Sequence, residues 1–227
     1  MTPKALLFDF GGTLDADGVA WKERFSAQFA AEGAAVPPAR FDPAFYASCD
    51  VLVGAVPADL SLAGVVERVA GGVGQRLGLD LSLARRAGER FLAESEAALA
   101  ASRALLARLA RSYRLGVVSN FYGNLAHVLD EAGFGPLLSA VADSAVVGAT
   151  KPDARIFLAA LEPLGAAPEE ALFVGDSLPR DMAGARALGM PHVFVSPVPG
   201  AAACCPGDRV IRRLAELPAA LVDEAAA

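Results

Sequence analysis

The sequence predicts a doubly wound, parallel α/β sheet interrupted by an inserted helical bundle, and three observations predict it. Short apolar runs without polar alternation recur along the chain, each ends in small or polar residues, and most are followed by a helical pattern. Such runs suit strands buried on both faces, the mark of a parallel sheet. The third observation is one long interval in which no strand run occurs.

The first run, Ala5–Phe10, leads into Gly11, Gly12 and Thr13. From Asp17 to Leu109 the chain is rich in Ala, Leu and Arg, with breaks at Gly33–Pro38, Val53–Asp59 and Gly71–Gly78, which reads as a helical bundle. Leu115–Val118 then leads into Ser119 and Asn120, Ala171–Val174 into Gly175, Asp176 and Ser177, and His192–Val195 into Ser196 and Pro197. Helices are predicted over Gly123–Ala132, Ala154–Leu164, Arg180–Leu188 and Arg209–Val222, with Gly133, Gly165 and Gly189 at or just past helix ends. The Ala-rich tail from Ala219 is expected to fray. In an open sheet of this kind ligands bind beyond the carboxyl ends of the strands, where the polar residues just named lie.

Composition narrows the function. With 227 residues the chain suits one domain with a large insertion or two small domains. The hydrophobic fraction is 54% and the mean hydropathy +0.41. The longest uncharged stretch, Ala187–Gly207, contains Pro191, Pro197, Pro199 and Pro206, which no lipid-facing helix survives. Met1–Phe8 holds too short an apolar run for a secretory signal, so a cytoplasmic protein is expected. Cys49, Cys204 and Cys205 lack disulfide or zinc-ligand spacing and read as reduced thiols. A net charge of −6, a pI near 5.0 and scattered arginines give no footprint for nucleic acid. Lys4, Lys22 and Lys151 are the only lysines, so any chemistry that needs an amine has few candidates.

Asp9 ends the first strand and the Gly11-Gly12-Thr13 turn follows, so a carboxylate stands at the ligand edge beside backbone N–H groups that can approach an anion closely. Ser119, Lys151 of Lys151-Pro152-Asp153, and Asp176 with Asp181 are expected at the same edge. Carboxylates, a hydroxyl and an amine converging there suit Mg²⁺ and a phosphate.

This ordered set, Asp9-Phe10-Gly11-Gly12-Thr13, Ser119, Lys151-Pro152-Asp153 and Gly175-Asp176-Ser177 with Asp181, resembles the haloacid dehalogenase superfamily of hydrolases, subfamily I. The resemblance implies a Rossmann-like core of residues 1–16 and 110–227, a helical cap of residues 17–109, and a Mg²⁺-dependent phosphatase of small phosphorylated metabolites. It implies Asp9 as the nucleophile that forms an aspartyl-phosphate, with Thr13, Ser119 and Lys151 holding the phosphate, joined by Gly12 and Asn120 in binding substrate. It also implies Asp9, the Gly11 carbonyl and Asp176 as metal ligands, with Asp181 holding a metal-bound water or orienting the ligands. A monomer or homodimer is expected.

One position departs from the family pattern. Family phosphatases carry a second aspartate two residues after the nucleophile, as acid and base, and here that residue is Gly11. Asp15, Asp17, Glu23 or a cap residue could replace it, or the substrate could have a good leaving group such as an acyl phosphate. A protein that binds metal and phosphate with little turnover, or a 2-haloacid dehalogenase-like hydrolase acting on carbon, remain alternatives. Trp21, Lys22, Arg24, Arg40, Tyr46 and Asp50 are the candidate substrate contacts of the cap.

Overall fold

The computed structural model describes residues 3–201 and 209–225. Strand β1 (Ala5–Phe8) is followed by a tight loop, Phe10–Leu14, and then by four helices, α1 (Trp21–Ala31), α2 (Pro38–Asp50), α3 (Leu62–Leu77) and α4 (Leu81–Leu109). The chain continues through β2 (Arg114–Ser119), α5 (Leu125–Glu131), β3 (Ala140–Asp143), α6 (Ser144–Val147), α7 (Ala154–Leu164), β4 (Ala171–Gly175), α8 (Ala183–Ala187), β5 (His192–Val195), β6 (Arg209–Ile211) and α9 (Leu217–Ala225).

The six strands form one parallel sheet in the order β3-β2-β1-β4-β5-β6. This is the doubly wound order in which the chain reverses direction across the sheet at β1. β1 is central, with Phe8 level with Val117 on one side and Val174 on the other. Its residues are fully buried, Leu6 and Phe8 in the hydrophobic cluster shared with α1–α4, Ala5 and Leu7 in the opposite cluster with Phe157 and Phe173. Burial on both faces is why the run is continuously apolar.

Several boundaries differ from the sequence expectation. β1 stops at Phe8, because Asp9 and the glycines already turn. Gly71–Gly74 do not break the bundle: α3 runs to Leu77 and closes on the left-handed Gly78, φ 67°. Gly74 serves close helix packing, since a Cβ on it would stand 2.7 Å from Ala84 Cβ on α4. Ser61 and Asp80 cap the two helices through Gly64 N at 3.1 Å and Ser82 N at 2.6 Å. Arg209 opens a strand rather than a helix, with Val193 opposite it and Ile211 buried. The tail from Ala219 stays helical to Ala225. β3 has no counterpart in the expectation; it is a four-residue edge strand whose Val141 is exposed and whose inward residues are alanines. Among the described residues no helix is long and apolar enough to cross a membrane. Cys204 and Cys205 lie outside the described residues.

Candidate active site

The sheet order brings the carboxyl ends of β1, β2 and β4 together, and each supplies polar groups. Asp9 follows β1, Ser119 ends β2, and Asp176 and Asp181 follow β4. Asp9 N donates to Val174 O at 2.9 Å, which joins the first loop to β4. Ser119 Oγ donates to Asp9 Oδ1 at 3.0 Å, and Lys151 Nζ stands 2.5 Å from the same oxygen and 2.7 Å from Asp181 Oδ1. All of these side chains are buried or nearly so.

Asp9 and Asp181 thus share one ammonium. The candidate ligand oxygens of Asp9, Asp176 and Asp181 lie within 4.8 Å of one another. Burial, then the charges of Asp9 and Asp181, push the Asp176 carboxyl well above the usual carboxylate range, against the pull of Lys151 and Thr13. Burial also raises Asp181, although Lys151 opposes it. For Lys151 burial favours the neutral amine, but Asp181 and Asp9 outweigh that and hold the group above its ordinary value.

Two glycines make the cluster possible. Gly12 has φ 97°, and a Cβ on it would lie 2.4 Å from Asp176 Oδ2. A Cβ on Gly175 would lie 2.4 Å from Asp181 Oδ2. An excess of buried negative charge, packed where only glycine leaves room, fits a hard divalent cation with oxygen ligands.

A cleft of about 380 Å³ opens over Asp9, Gly11, Ser119, Asn120 and Lys151, closed on the helical side by Trp21, Phe45, Tyr46 and Asp50. Gly12, Thr13, Asp176 and Asp181 are not among its lining residues. Thr13 Oγ1 donates to Asp176 Oδ1 at 3.1 Å. Asn120 is a brace: its Oδ1 accepts from Lys151 N at 2.8 Å and its Nδ2 donates to Lys151 O at 3.3 Å. Asp143 holds the loop before α5 by accepting from Gly123 N, Leu125 N and Ala145 N. Nothing in the sequence marks it, because an acid between two short elements carries no motif.

The candidates for a replacement acid separate clearly. Asp15 is fully buried and accepts from Gly12 N at 2.7 Å, Trp21 Nε1 at 2.7 Å and Arg24 Nη1 at 2.8 Å. Asp17 accepts from Leu214 N at 2.9 Å. Glu23 lines the cleft and pairs with Lys22 at 3.0 Å. Of the candidate contacts, Arg24 is buried on Asp15, Phe91 O and Ser95 Oγ, and Arg40 does not line the cleft. Phe121 and Tyr122, absent from the sequence candidates, do line it.

Comparison with known proteins shows the family. The model of one family, haloacid dehalogenase-like hydrolase, matches residues 3–189. The chain belongs to that family. This haloacid dehalogenase-like hydrolase is 40% identical over 103 residues to the phosphoserine phosphatase of Thermus thermophilus, a match covering 45% of this chain and 39% of that one. The matched segments span between 18% and 39% of the length of the curated relatives. A HAD phosphatase structure from Thermococcus onnurineus superposes with a TM-score of 0.59 at 25% identity, covering 96% of this chain and 97% of that one. The L-2-haloacid dehalogenase from Xanthobacter autotrophicus shares the fold, with a TM-score of 0.60 at 19% identity, covering 97% and 98%. The hydrolase is similar to phosphatases and dehalogenases alike, so the family sets the scaffold and the site must decide the chemistry.

Proposed function

We propose that this hydrolase is a Mg²⁺-dependent phosphohydrolase of small phosphorylated metabolites that works through an aspartyl-phosphate on Asp9. The observation that carries the reading is the cluster of Asp9, Asp176 and Asp181, in which Lys151 pairs with Asp9 and Asp181, and of which Asp9 and Lys151 line an open cleft. Asp9 attacks phosphorus, and the covalent route divides one hard displacement into two easier ones. Ser119 and Lys151, which already touch the Asp9 carboxylate, reach the transferring phosphoryl oxygens. The Gly12 N–H is held by Asp15, while Thr13 holds Asp176 and Asn120 holds the Lys151 backbone.

Asp9, the Gly11 carbonyl, Asp176 and Asp181 would hold Mg²⁺. When bound, Mg²⁺ offsets the repulsion between an anionic nucleophile and a phosphate dianion. The helices of residues 17–109 act as a cap that shields the cleft from water.

The test is a rapid-quench time course with p-nitrophenyl phosphate and Mg²⁺, following nitrophenol release and phosphoenzyme together, with Asp9→Asn as control. Sustained release lost in Asp9→Asn supports the reading. A single burst that stalls as phosphoenzyme would mean that the nucleophile works but water activation left with the second aspartate. A second reading, displacement at carbon in a 2-haloacid, is favoured by Gly11 alone; halide release from a 2-haloacid without metal, and no phosphoenzyme, would establish it instead.

A further inference from the structure

Gly11 stands where phosphatases of this family carry an acid, and the structure fills the space beside it with an indole. A Cβ on Gly11 would lie 3.1 Å from Trp21 Nε1 and 3.3 Å from Trp21 Cδ1. Trp21 cannot easily yield. Its Nε1 donates at 2.7 Å to the buried Asp15, which Gly12 N and Arg24 also hold, and its ring packs against Phe25, Phe91, Phe121 and Tyr122 at centroid distances of 5.1–6.5 Å. The cleft beside Gly11 therefore carries the edge of an aromatic ring where that acid would stand. Phe45, Tyr46, Phe121 and Tyr122 continue this aromatic wall. The carboxylates of the wall outside the metal cluster are Glu23, paired with Lys22, and Asp50, at the last turn of α2.

We infer, resting on the phosphohydrolase reading above, that the substrates are phosphate esters of aromatic hydroxyl groups whose leaving oxygen departs unprotonated, with the aryl ring seated against Trp21. A phenolate, the anion of an acid of pKa ~10, leaves without help far more readily than an alkoxide, whose parent alcohol is a far weaker acid, nearly as weak as water. The flat apolar ring also gains from aromatic contact, which a polar alkyl body does not. In the first step an Asp9 oxygen bonds to phosphorus as the P–O(aryl) bond breaks, and the electron pair leaves on the aryl oxygen. In the second, water bonds to phosphorus, the Asp9 carboxylate is released, and both water protons remain on the dihydrogen phosphate that departs.

The experiment compares kcat/KM of the full chain with Mg²⁺ on substituted phenyl phosphates and on butyl phosphate. Because general acid catalysis is worth ~10²–10⁴-fold, butyl phosphate is expected to be slower than 4-nitrophenyl phosphate by at least ~10²-fold, with the phenyl series ordered by leaving-group acidity. Gly11→Asp alone leaves that spread in place, whereas Gly11→Asp with Trp21→Gly narrows it to under about tenfold. Trp21 is the only tryptophan, so its fluorescence also reports binding: phenyl phosphate should quench it in Asp9→Asn, and butyl phosphate at the same concentration should not. Butyl phosphate turned over within about tenfold of the aryl esters by the unaltered enzyme, with phosphoenzyme on Asp9 from both, overturns this inference and leaves the phosphohydrolase reading standing. Absence of phosphoenzyme and of turnover with every ester overturns both.

Discussion

The Asp176 carboxylate occupies the space in which a side chain on Gly12 would begin, with Oδ2 2.4 Å from the position of a Cβ. Gly12 also sits at φ 97°, a backbone conformation that residues with a Cβ rarely adopt. The acid of the fourth strand's loop and the glycine of the first are therefore one unit. Gly12→Ala must displace Asp176, and the expected result is loss of Mg²⁺-dependent activity by ~10²-fold or more, with Mg²⁺ affinity weakened in calorimetry.

Lys151 is the single ammonium between Asp9 and Asp181. Lys151→Met leaves buried carboxylates without their counter-charge, so unfolding in urea should show a loss of about 3–5 kcal/mol. Lys151→Arg should not restore activity, because a planar guanidinium cannot take the place of a compact ammonium between two carboxylates.

Asp15 and Arg24 pair at 2.8 Å, with side chains 0% and 7% exposed, and tie the loop after β1 to α1 and α4. Arg24→Met removes the charge that opposes the burial penalty on Asp15. The expected cost is about 3–5 kcal/mol, with Trp21 emission shifted because its hydrogen-bond partner is disturbed. The double variant Arg24→Met, Asp15→Asn should recover part of that loss, since it leaves no buried charge unpaired.

Cys49 lines the cleft, and burial pushes its thiol up to about 11 from 9.0, a rise that the hydrogen bond with Tyr122 partly opposes. The raised value means that the protonated thiol is the form the fold favours. Its contribution to stability is complete below the unfolded value and is lost as pH rises through about 11. Peptide-resolved alkylation by iodoacetamide should therefore show Cys49 slow at pH 9 and still accelerating up to about pH 11.

The sheet strands that flank the site were legible because β1 and β4 are buried on both faces and so read as unbroken apolar runs. The polar groups of the site were legible because each closes such a run, as Asp9, Ser119 and Asp176 do, or opens a distinctive turn, as Lys151 does. β3 was hidden by its length and its alanines, and the glycines of α3 suggested a break where the helix continues and Gly74 packs against α4. The work of Asn120 on the Lys151 backbone, of Thr13 on Asp176, and of Trp21 beside Gly11 depends on contacts between segments far apart in sequence or on the direction of a single loop, which no local pattern encodes.

The central claim is that Asp9 becomes phosphorylated. The most direct measurement is mass spectrometry of the acid-quenched protein after millisecond mixing with p-nitrophenyl phosphate and Mg²⁺, with the modified peptide sequenced. The account predicts a phosphoryl group on the peptide that contains Asp9, absent in Asp9→Asn. An unmodified Asp9 during measurable hydrolysis would contradict it.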